Sequence, residues 1–351
     1  MTALATELIA QIRADGPMSL ADYMTTCLLH PTHGYYTTQV AFGAKGDFIT
    51  APEISQMFGE LVGLALAQTW LDQGAPNAFT FAELGPGRGT LMADAWRATK
   101  AVPGFHDAAE IVFFEAAPAL RDVQKKALPQ ARHIDSIAKL PDQPLYLIAN
   151  EFFDALPIRQ FQRDGAGWRE RRVGAPGDAL VFGLTDPTPQ EALSHRLEDT
   201  KDGDLVETCP AAAPILNEIG TRISTHGGTA LIIDYGDWRS LGDTFQAMEN
   251  HASADPLATP GMADLTAHVD FEALAQAAPC AHTRLTPQGV WLERLGITAR
   301  ARALAQKLTG DALERHIAAH RRLTHPSEMG TLFKILGLYP TSGMPPAGLD
   351  T

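Results

Sequence analysis

The seven residues Glu83-Leu84-Gly85-Pro86-Gly87-Arg88-Gly89 carry the clearest chemical pattern in the chain. An apolar run, 79–84, leads into them and a helical run, 90–100, follows. Gly85 lets the chain turn sharply at a strand end, Gly87 lets backbone approach a ligand, and Gly89 lets the helix pack close to the strand. Pro86 stiffens the turn through its fixed φ. Such a turn seats a dinucleotide or S-adenosylmethionine. The spacing here is GxGxG, because Thr90 stands where the dinucleotide fingerprint has its third glycine. Glu83 precedes the turn, where it suits the cationic amino-acid end of a methionine moiety and would repel a pyrophosphate. Glu115 closes the next apolar run, 110–115, and suits ribose hydroxyls. Together these residues favour S-adenosylmethionine over a dinucleotide.

Ligands of open α/β sheets bind outside the carboxyl ends of the strands, so residues just past the other apolar runs are the next candidates. Asp135 and Ser136 follow a short run, 132–134, and are expected to meet the adenine. Asn150 and Glu151 end the fourth run, with Asp154 just beyond, and Asp234 ends the fifth. Asn150 is expected to bond the cofactor or the substrate. The string Asn150-Glu151-Phe152-Phe153-Asp154 sets aromatics beside carboxylates, an arrangement that suits a flat cation. Glu151, Asp154 and Asp234 are the candidate acids of the site. Each acid also has a structural reading: Glu151 as a helix cap, Asp154 as a turn residue, Asp234 as a loop anchor.

Thr50 and Glu53 lie on the loop 46–56, which could fold over the cofactor, Thr50 touching it and Glu53 facing the substrate. The competing reading is a helix start, with Pro52 in the first turn. His268 is a candidate base or substrate contact, although a lone histidine is more often structural. His30 and His33 flank Pro31 without a complete metal-ligand set, and no metal is expected. Arg159, Arg163, Arg169, Arg171 and Arg172 either dock an acidic partner or form a solvated strand face.

The elements that must position these residues alternate. Apolar runs at 79–84, 110–115, 145–149 and 229–233 are separated by helical spacing, which indicates a parallel sheet covered on both faces. Residues 159–163, 168–173 and 179–184 break the rhythm and read as a β-meander inserted after the fourth strand. Residues 2–14 and 53–73 have helical spacing. The expected organisation is an α/β protein with a helical and loop cap at 1–75 and one core domain at 76–351. That core carries an insertion at about 156–205 and helical additions at about 260–325. A late strand at 330–336 closes the sheet.

Composition narrows the class. Among 351 residues, 45% are hydrophobic and 20% charged, as in an ordinary globular protein, and no run reaches the roughly 18 apolar residues of a membrane helix. The net charge of −13 opposes nucleic-acid binding, which relies on Lys and Arg against phosphate. Cys27, Cys209 and Cys280 are too few and too scattered for a disulfide framework. Residues 1–18 hold Arg13 as their one basic side chain and carry Glu7 and Asp15, unlike a secretory or transit segment. A cytoplasmic, bacterial protein is therefore expected. A homodimer is compatible with the sequence.

Several segments resemble the MidA family of bacterial and mitochondrial methyltransferases. They are His30-Pro-Thr-His-Gly-Tyr-Tyr36, Gly46-Asp-Phe-Ile-Thr-Ala-Pro-Glu-Ile-Ser-Gln56, Phe58-Gly-Glu-Leu61, residues 83–92, and Asn150-Glu-Phe-Phe-Asp-Ala-Leu-Pro157. Ile233-Asp-Tyr-Gly236, Ala263-Asp-Leu-Thr-Ala-His-Val-Asp-Phe271 and Met329-Gly-Thr-Leu-Phe-Lys334 continue the likeness along almost the whole chain. Ala117 departs from it, standing where a serine is expected near the ribose. The resemblance implies a Rossmann-like class I methyltransferase core, with a mostly parallel seven-stranded sheet and helices on both faces, and S-adenosylmethionine as cofactor. It also implies a protein arginine as the acceptor, on the quinone-site subunit of respiratory complex I during assembly. A guanidinium arrives fully charged and is a poor nucleophile; carboxylates grip it bidentately and take up charge as its proton leaves, so with this acceptor Glu151, with Asp154 or Asp234, is the expected grip. Rival expectations are methylation of a small molecule or another protein, a cofactor-binding assembly factor without activity, and an NAD-linked dehydrogenase.

Overall fold

The structure, a computed structural model, describes residues 1–38, 50–249 and 251–351. The described residues form two compact units, each assembled from three stretches of chain. The first draws on 1–48, 154–212 and 239–270, and the second on 49–153, 213–238 and 271–351.

The second unit is built on a sheet whose main path runs through β1 (Phe79–Leu84), β2 (Ala109–Phe114), β3 (Arg132–Ile134), β4 (Leu145–Asn150), β5 (Gly228–Asp237), β6 (Ala281–His282) and β7 (Phe333–Tyr339), with Thr286–Pro287 pairing β7 off that path. They lie in the order β3-β2-β1-β4-β5-β7-β6. The five from β3 to β5 are parallel, whereas β7 runs antiparallel to both β5 and β6. The order reverses between β1 and β4, the crevice where open α/β sheets bind ligands. This is the mostly parallel, helix-covered architecture that the alternating apolar runs imply.

β1 and β4 are buried at every position, which is why they read as continuous apolar runs rather than as alternating ones. Phe79 and Phe81 of β1, Tyr146 and Ile148 of β4, and Leu231 and Ile233 of β5 share one face. They form a single core with Phe58, Leu61, Val62 and Leu66 of the helix at Gln56–Asp72. Each such side chain contributes about 1.5–3 kcal/mol by leaving water. In the parallel register Glu83 lies opposite Ile148, so Glu83 and Asn150 continue this same face at the carboxyl ends.

Helices α1 (Ala51–Ile54), α2 (Gln56–Asp72), α3 (Thr90–Thr99) and α4 (Pro118–Ala127) flank the site. The helical spacing at 53–73 proves to be two helices broken at Ser55. That residue is extended, and its hydroxyl accepts the Met57 N–H at 3.2 Å as a cap. The division drawn at residue 75 also differs from the structure. The apolar side of α2 packs on the sheet, so α2 belongs with the strands and not with a separate cap. Residues 329–332 start as a helical turn, which displaces the late strand to Phe333–Tyr339.

In the first unit the meander strands Arg159–Asp164, Gly167–Gly174 and Val181–Leu184 pair antiparallel. They join Met18–Ser19 on one side and Leu205–Thr208 on the other. A second small sheet sets Gln246–Glu249 between Ala252–Ala254 and Asp264–Thr266. The helices Ala3–Asp15 and Leu20–Leu29 share a core with Val173 and Leu265. The arginines of the meander are mostly neutralised within the unit. Arg159 and Arg172 share Glu170, Arg169 pairs with Asp164, and Arg171 pairs with Asp243. Among the described residues no helix is long and apolar enough to cross a membrane, and no His, Cys, Asp and Glu group is arranged to hold a metal ion.

Candidate active site

The turn after β1 places three successive glycines at positive φ, +58° at Gly85, +52° at Gly87 and +80° at Gly89. An L side chain there costs about 1–2 kcal/mol, which explains the GxGxG spacing. The Gly85 N–H donates to the Phe114 carbonyl at 3.0 Å, and a Cβ at Gly85 would stand 3.0 Å from the Phe152 ring. The Gly89 N–H closes the turn on the Pro86 carbonyl at 2.7 Å. Glu83, just before the turn, is 4% exposed. Burial pushes its carboxyl up to about 8; the Met92 N–H opposes this and the Glu115 charge adds to it. Its Oε2 has no hydrogen-bond partner among the described residues.

Glu115 follows β2 and is also buried, which raises its carboxyl above the usual range. One oxygen accepts the Ala117 N–H at 2.8 Å and the other accepts Gln124 Nε2 at 2.9 Å. The contact at residue 117 is made by backbone, so alanine in place of serine leaves it intact. Gln124, on α4, also donates to the Gly87 carbonyl at 2.7 Å. Beyond β3, Ser136 is half-buried and precedes a 3-10 turn at Ile137–Lys139. Asp135 is exposed, and Lys139 Nζ donates to it at 2.6 Å, holding its carboxyl below the usual range. The aspartate expected at the adenine is thus turned to a lysine four residues on.

At the end of β4, Asn150 donates its Nδ2 to Glu151 Oε1 at 3.2 Å, while its buried Oδ1 lacks a donor among the described residues. Glu151 sits at φ +49°, a conformation that costs a non-glycine residue about 1–3 kcal/mol and that clusters at functional sites. Its Oε1 also accepts the Ala51 N–H at 3.1 Å, so it caps α1 from a distant strand. Thr50 holds the N-cap position of α1 without a side-chain bond, and Pro52 lies in the first turn. The helix-start reading of this loop therefore describes its geometry, and its residues 46–49 lie outside the described residues. Glu53 of α1 accepts the Thr90 hydroxyl at 2.6 Å and faces Arg88 at 3.6 Å, which ties α1 to the glycine turn.

Asp234, at the end of β5, is fully buried. It accepts the N–H groups of Phe152, Phe153 and Tyr235 at 3.2, 3.0 and 3.0 Å. Three backbone donors make it an anchor of the turn that carries Glu151 and Phe152, which is the loop-anchor reading of this acid. Asp154 and His268 fall in the first unit. There the Asp154 carbonyl accepts the Ala267 N–H at 3.0 Å, and the His268 N–H donates to the Thr244 hydroxyl at 2.8 Å. Within the second unit the structure gathers Glu53, Glu83, Gly85, Gly87, Gly89, Glu115, Asn150, Glu151 and Asp234 around the carboxyl ends of β1, β2, β4 and β5. Sequence reasoning missed Gln124, Thr90 and Arg88 as partners of these groups. Gln124 gave no signal, being one polar residue on an otherwise ordinary helix.

Two buried acceptors without donors among the described residues, Glu83 Oε2 and Asn150 Oδ1, stand on one face of neighbouring strands. Each unpaired buried polar atom costs roughly 1–3 kcal/mol. An ammonium group supplies the missing N–H donors and a charge opposite to Glu83, whereas a pyrophosphate would add to the repulsion. Glu115 supplies acceptor lone pairs for hydroxyls at the next strand end. These residues fit S-adenosylmethionine.

The strand order and the glycine turn define a class I S-adenosylmethionine-dependent methyltransferase. Residues 61–290 match the model of a family of S-adenosyl-L-methionine-dependent methyltransferases, and the chain belongs to that family. It is 35% identical over 372 residues to protein arginine methyltransferase NDUFAF7, mitochondrial, of Xenopus laevis, spanning 97% of this chain and 85% of that one. The Homo sapiens protein of the same name is 34% identical over 373 residues, spanning 97% and 84%. A crystal structure from Burkholderia thailandensis, bound to S-adenosyl-homocysteine, superposes with a TM-score of 0.85 at 28% identity, over 99% of this chain and 94% of that one. The mitochondrial names of the relatives overturn the cytoplasmic location read from residues 1–18. Charge and hydropathy near an N-terminus do not report where a fold of this kind works.

Proposed function

We propose that the chain methylates an arginine of a protein, and that the protein is the quinone-site subunit of respiratory complex I. Two lines support this reading. Relatives at 34–35% identity over nearly the whole chain are named protein arginine methyltransferases, and the family resemblance points to complex I. The observation that carries the chemistry is Glu151, a carboxylate on strained backbone at the end of β4, directly after Asn150, whose buried Oδ1 has no donor among the described residues.

S-adenosylmethionine supplies a methyl group already activated by its sulfonium for in-line displacement. The protein has to orient the acceptor and manage one proton, and orientation can be worth roughly 7–11 kcal/mol. In this reading Glu83 and Asn150 hold the ammonium end of the cofactor, Glu115 the ribose, and the glycine turn the backbone approach. Ser136 lines the adenine side. Glu151 grips the guanidinium and holds its proton at a carboxylate oxygen, with Glu53 as the second acid. Asp234 positions Glu151 through the turn that it anchors.

Mass spectrometry of complex I subunits from cells with and without the gene tests the proposal. A methylated arginine that disappears with the gene and returns with the wild-type chain, and not with Glu151→Gln, is expected. An unchanged set of methylated arginines would remove both the substrate and the reaction.

A further inference from the structure

Gln124 makes no contact that its position in the sequence foretells, yet it joins two parts of the site. It is 0% exposed. Its Nε2 reaches the Gly87 carbonyl at 2.7 Å and Glu115 Oε2 at 2.9 Å, and its Oε1 lies 2.9 Å from His133 Nε2. A side-chain amide has two N–H donors on nitrogen and acceptor lone pairs on oxygen. Both of its donors are spent on acceptors, a carbonyl and a carboxylate. The amide cannot be flipped, because its oxygen would then face two other oxygens. The tautomer of His133 follows, with Nε2 carrying the hydrogen that Gln124 Oε1 accepts. Burial and the neighbouring Arg121 and Lys125 charges lower the pKa of that imidazole, which favours its neutral form.

Each of these bonds fixes something a cofactor would meet. A trans peptide sets C=O and the next N–H on opposite sides. With the Gly87 carbonyl drawn toward Gln124, the Arg88 N–H is turned to the other side of the glycine turn. The Glu115 carboxylate is held between the Ala117 N–H and Gln124, so its rotamer is set and its remaining lone pairs face away from both.

We propose that Gln124 is a positioning residue for the cofactor, which couples the conformation of the glycine turn to the orientation of the ribose acid Glu115. The proposal rests on the placement of S-adenosylmethionine at the glycine turn. Gln124 touches neither the methyl group nor the acceptor in this scheme. Its loss raises KM for the cofactor and leaves kcat close to that of the wild type.

Gln124→Glu is the sharpest variant, since it is nearly isosteric and sets a carboxylate against the Gly87 carbonyl and the Glu115 carboxylate. Calorimetry with S-adenosylhomocysteine and with 5′-methylthioadenosine, which keeps the ribose and lacks the amino-acid end, reads the effect at pH 6 and pH 8. Both ligands should bind at least tenfold more weakly to the variant at pH 8. Relative to the wild type at the same pH, part of that loss should return at pH 6, where a buried carboxyl set against the Glu115 carboxylate takes up a proton more readily and can donate again. The pH recovery is a signature that simple loosening of α4 would not give. Gln124→Leu should show the weakening without the recovery, and it serves as the second variant if Gln124→Glu does not fold. Melting of the ligand-free proteins reports on folding separately. Wild-type affinity in a folded Gln124→Leu or Gln124→Glu would overturn the proposal, as would weakening confined to S-adenosylhomocysteine. Failure of the wild-type chain itself to bind either compound would instead strike the placement of the cofactor.

Discussion

Glu151 lends a carboxylate oxygen to the backbone N–H of Ala51, 3.1 Å away, so an acid at the end of β4 caps the first turn of α1. The same oxygen takes the Asn150 amide. This double duty separates two variants. Glu151→Gln keeps an acceptor for Ala51 and loses the charge. Its melting temperature and its affinity for S-adenosylhomocysteine should stay near wild type, while turnover falls by about 100-fold or more, the usual contribution of a proton-handling group. Glu151→Ala should in addition lose about 0.5–2 kcal/mol of stability with the cap. Calorimetry beside a methylation assay distinguishes them, and full turnover in Glu151→Gln removes this acid from the chemistry.

Glu83 predicts a pH dependence. With its carboxyl pushed up to about 8, it is largely protonated below that pH in the ligand-free protein, while the ammonium group of a bound ligand favours its charged form. Affinity for S-adenosylhomocysteine should therefore rise between pH 6 and 7.5, approaching tenfold per unit. Glu83→Gln should flatten the slope. The same shift has a sign for stability. The folded-state value lies above the ordinary 4.5, so the contribution of this group is complete below 4.5 and is lost as pH rises through about 8. Ligand-free Glu83→Gln should accordingly melt above the wild type at pH 8. A slope that persists in Glu83→Gln would assign the linkage to another group.

Gly85→Ala meets two obstacles at once. The residue sits at φ +58°, and the new Cβ would lie 3.0 Å from the Phe152 ring. Strain alone should cost about 1–2 kcal/mol. Binding of S-adenosylhomocysteine should weaken as well, since the ring must shift over the turn. Adding Phe152→Ala should restore part of the stability, because it relieves the contact, but not all of it, because φ is unchanged. A thermal-shift comparison of the three proteins checks this, and complete recovery in the double variant would show that φ strain is negligible.

Asp234→Ala should be mainly a defect of structure. It strips acceptors from the N–H groups of Phe152, Phe153 and Tyr235. Each buried donor left unpaired costs roughly 1–3 kcal/mol. A marked fall in melting temperature is expected, with Asp234→Asn intermediate because it keeps one acceptor oxygen. A stable Asp234→Ala with abolished turnover would place this acid in the guanidinium grip instead.

The core strands were legible because parallel strands buried on both faces leave unbroken apolar runs, as in Phe79–Leu84 and Leu145–Asn150. The glycine turn was legible because positive φ restricts residue choice at 85, 87 and 89. The roles of the acids were not, since Glu151, Asp234 and Asp135 look alike at a strand end. Their partners come from Ala51, Phe153 and Lys139, and the first two lie far off in sequence. Gln124 was silent for the same reason, as its function arises from the meeting of α4 with β2 and the glycine turn. The boundary at 75 failed because helical spacing shows that α2 has an apolar side without showing what covers it.

Strand β7, residues 333–339, lies between β5 and β6 and pairs with β5 over six positions. A nascent chain therefore cannot finish this sheet until residue 339 has left the ribosome. Until then β5 presents an unsatisfied row of amides and carbonyls to its surroundings, the kind of edge that recruits foreign strands. Fragments that stop short of 333 should be chaperone clients rather than smaller enzymes, even though every residue gathered around the glycine turn is already present in them.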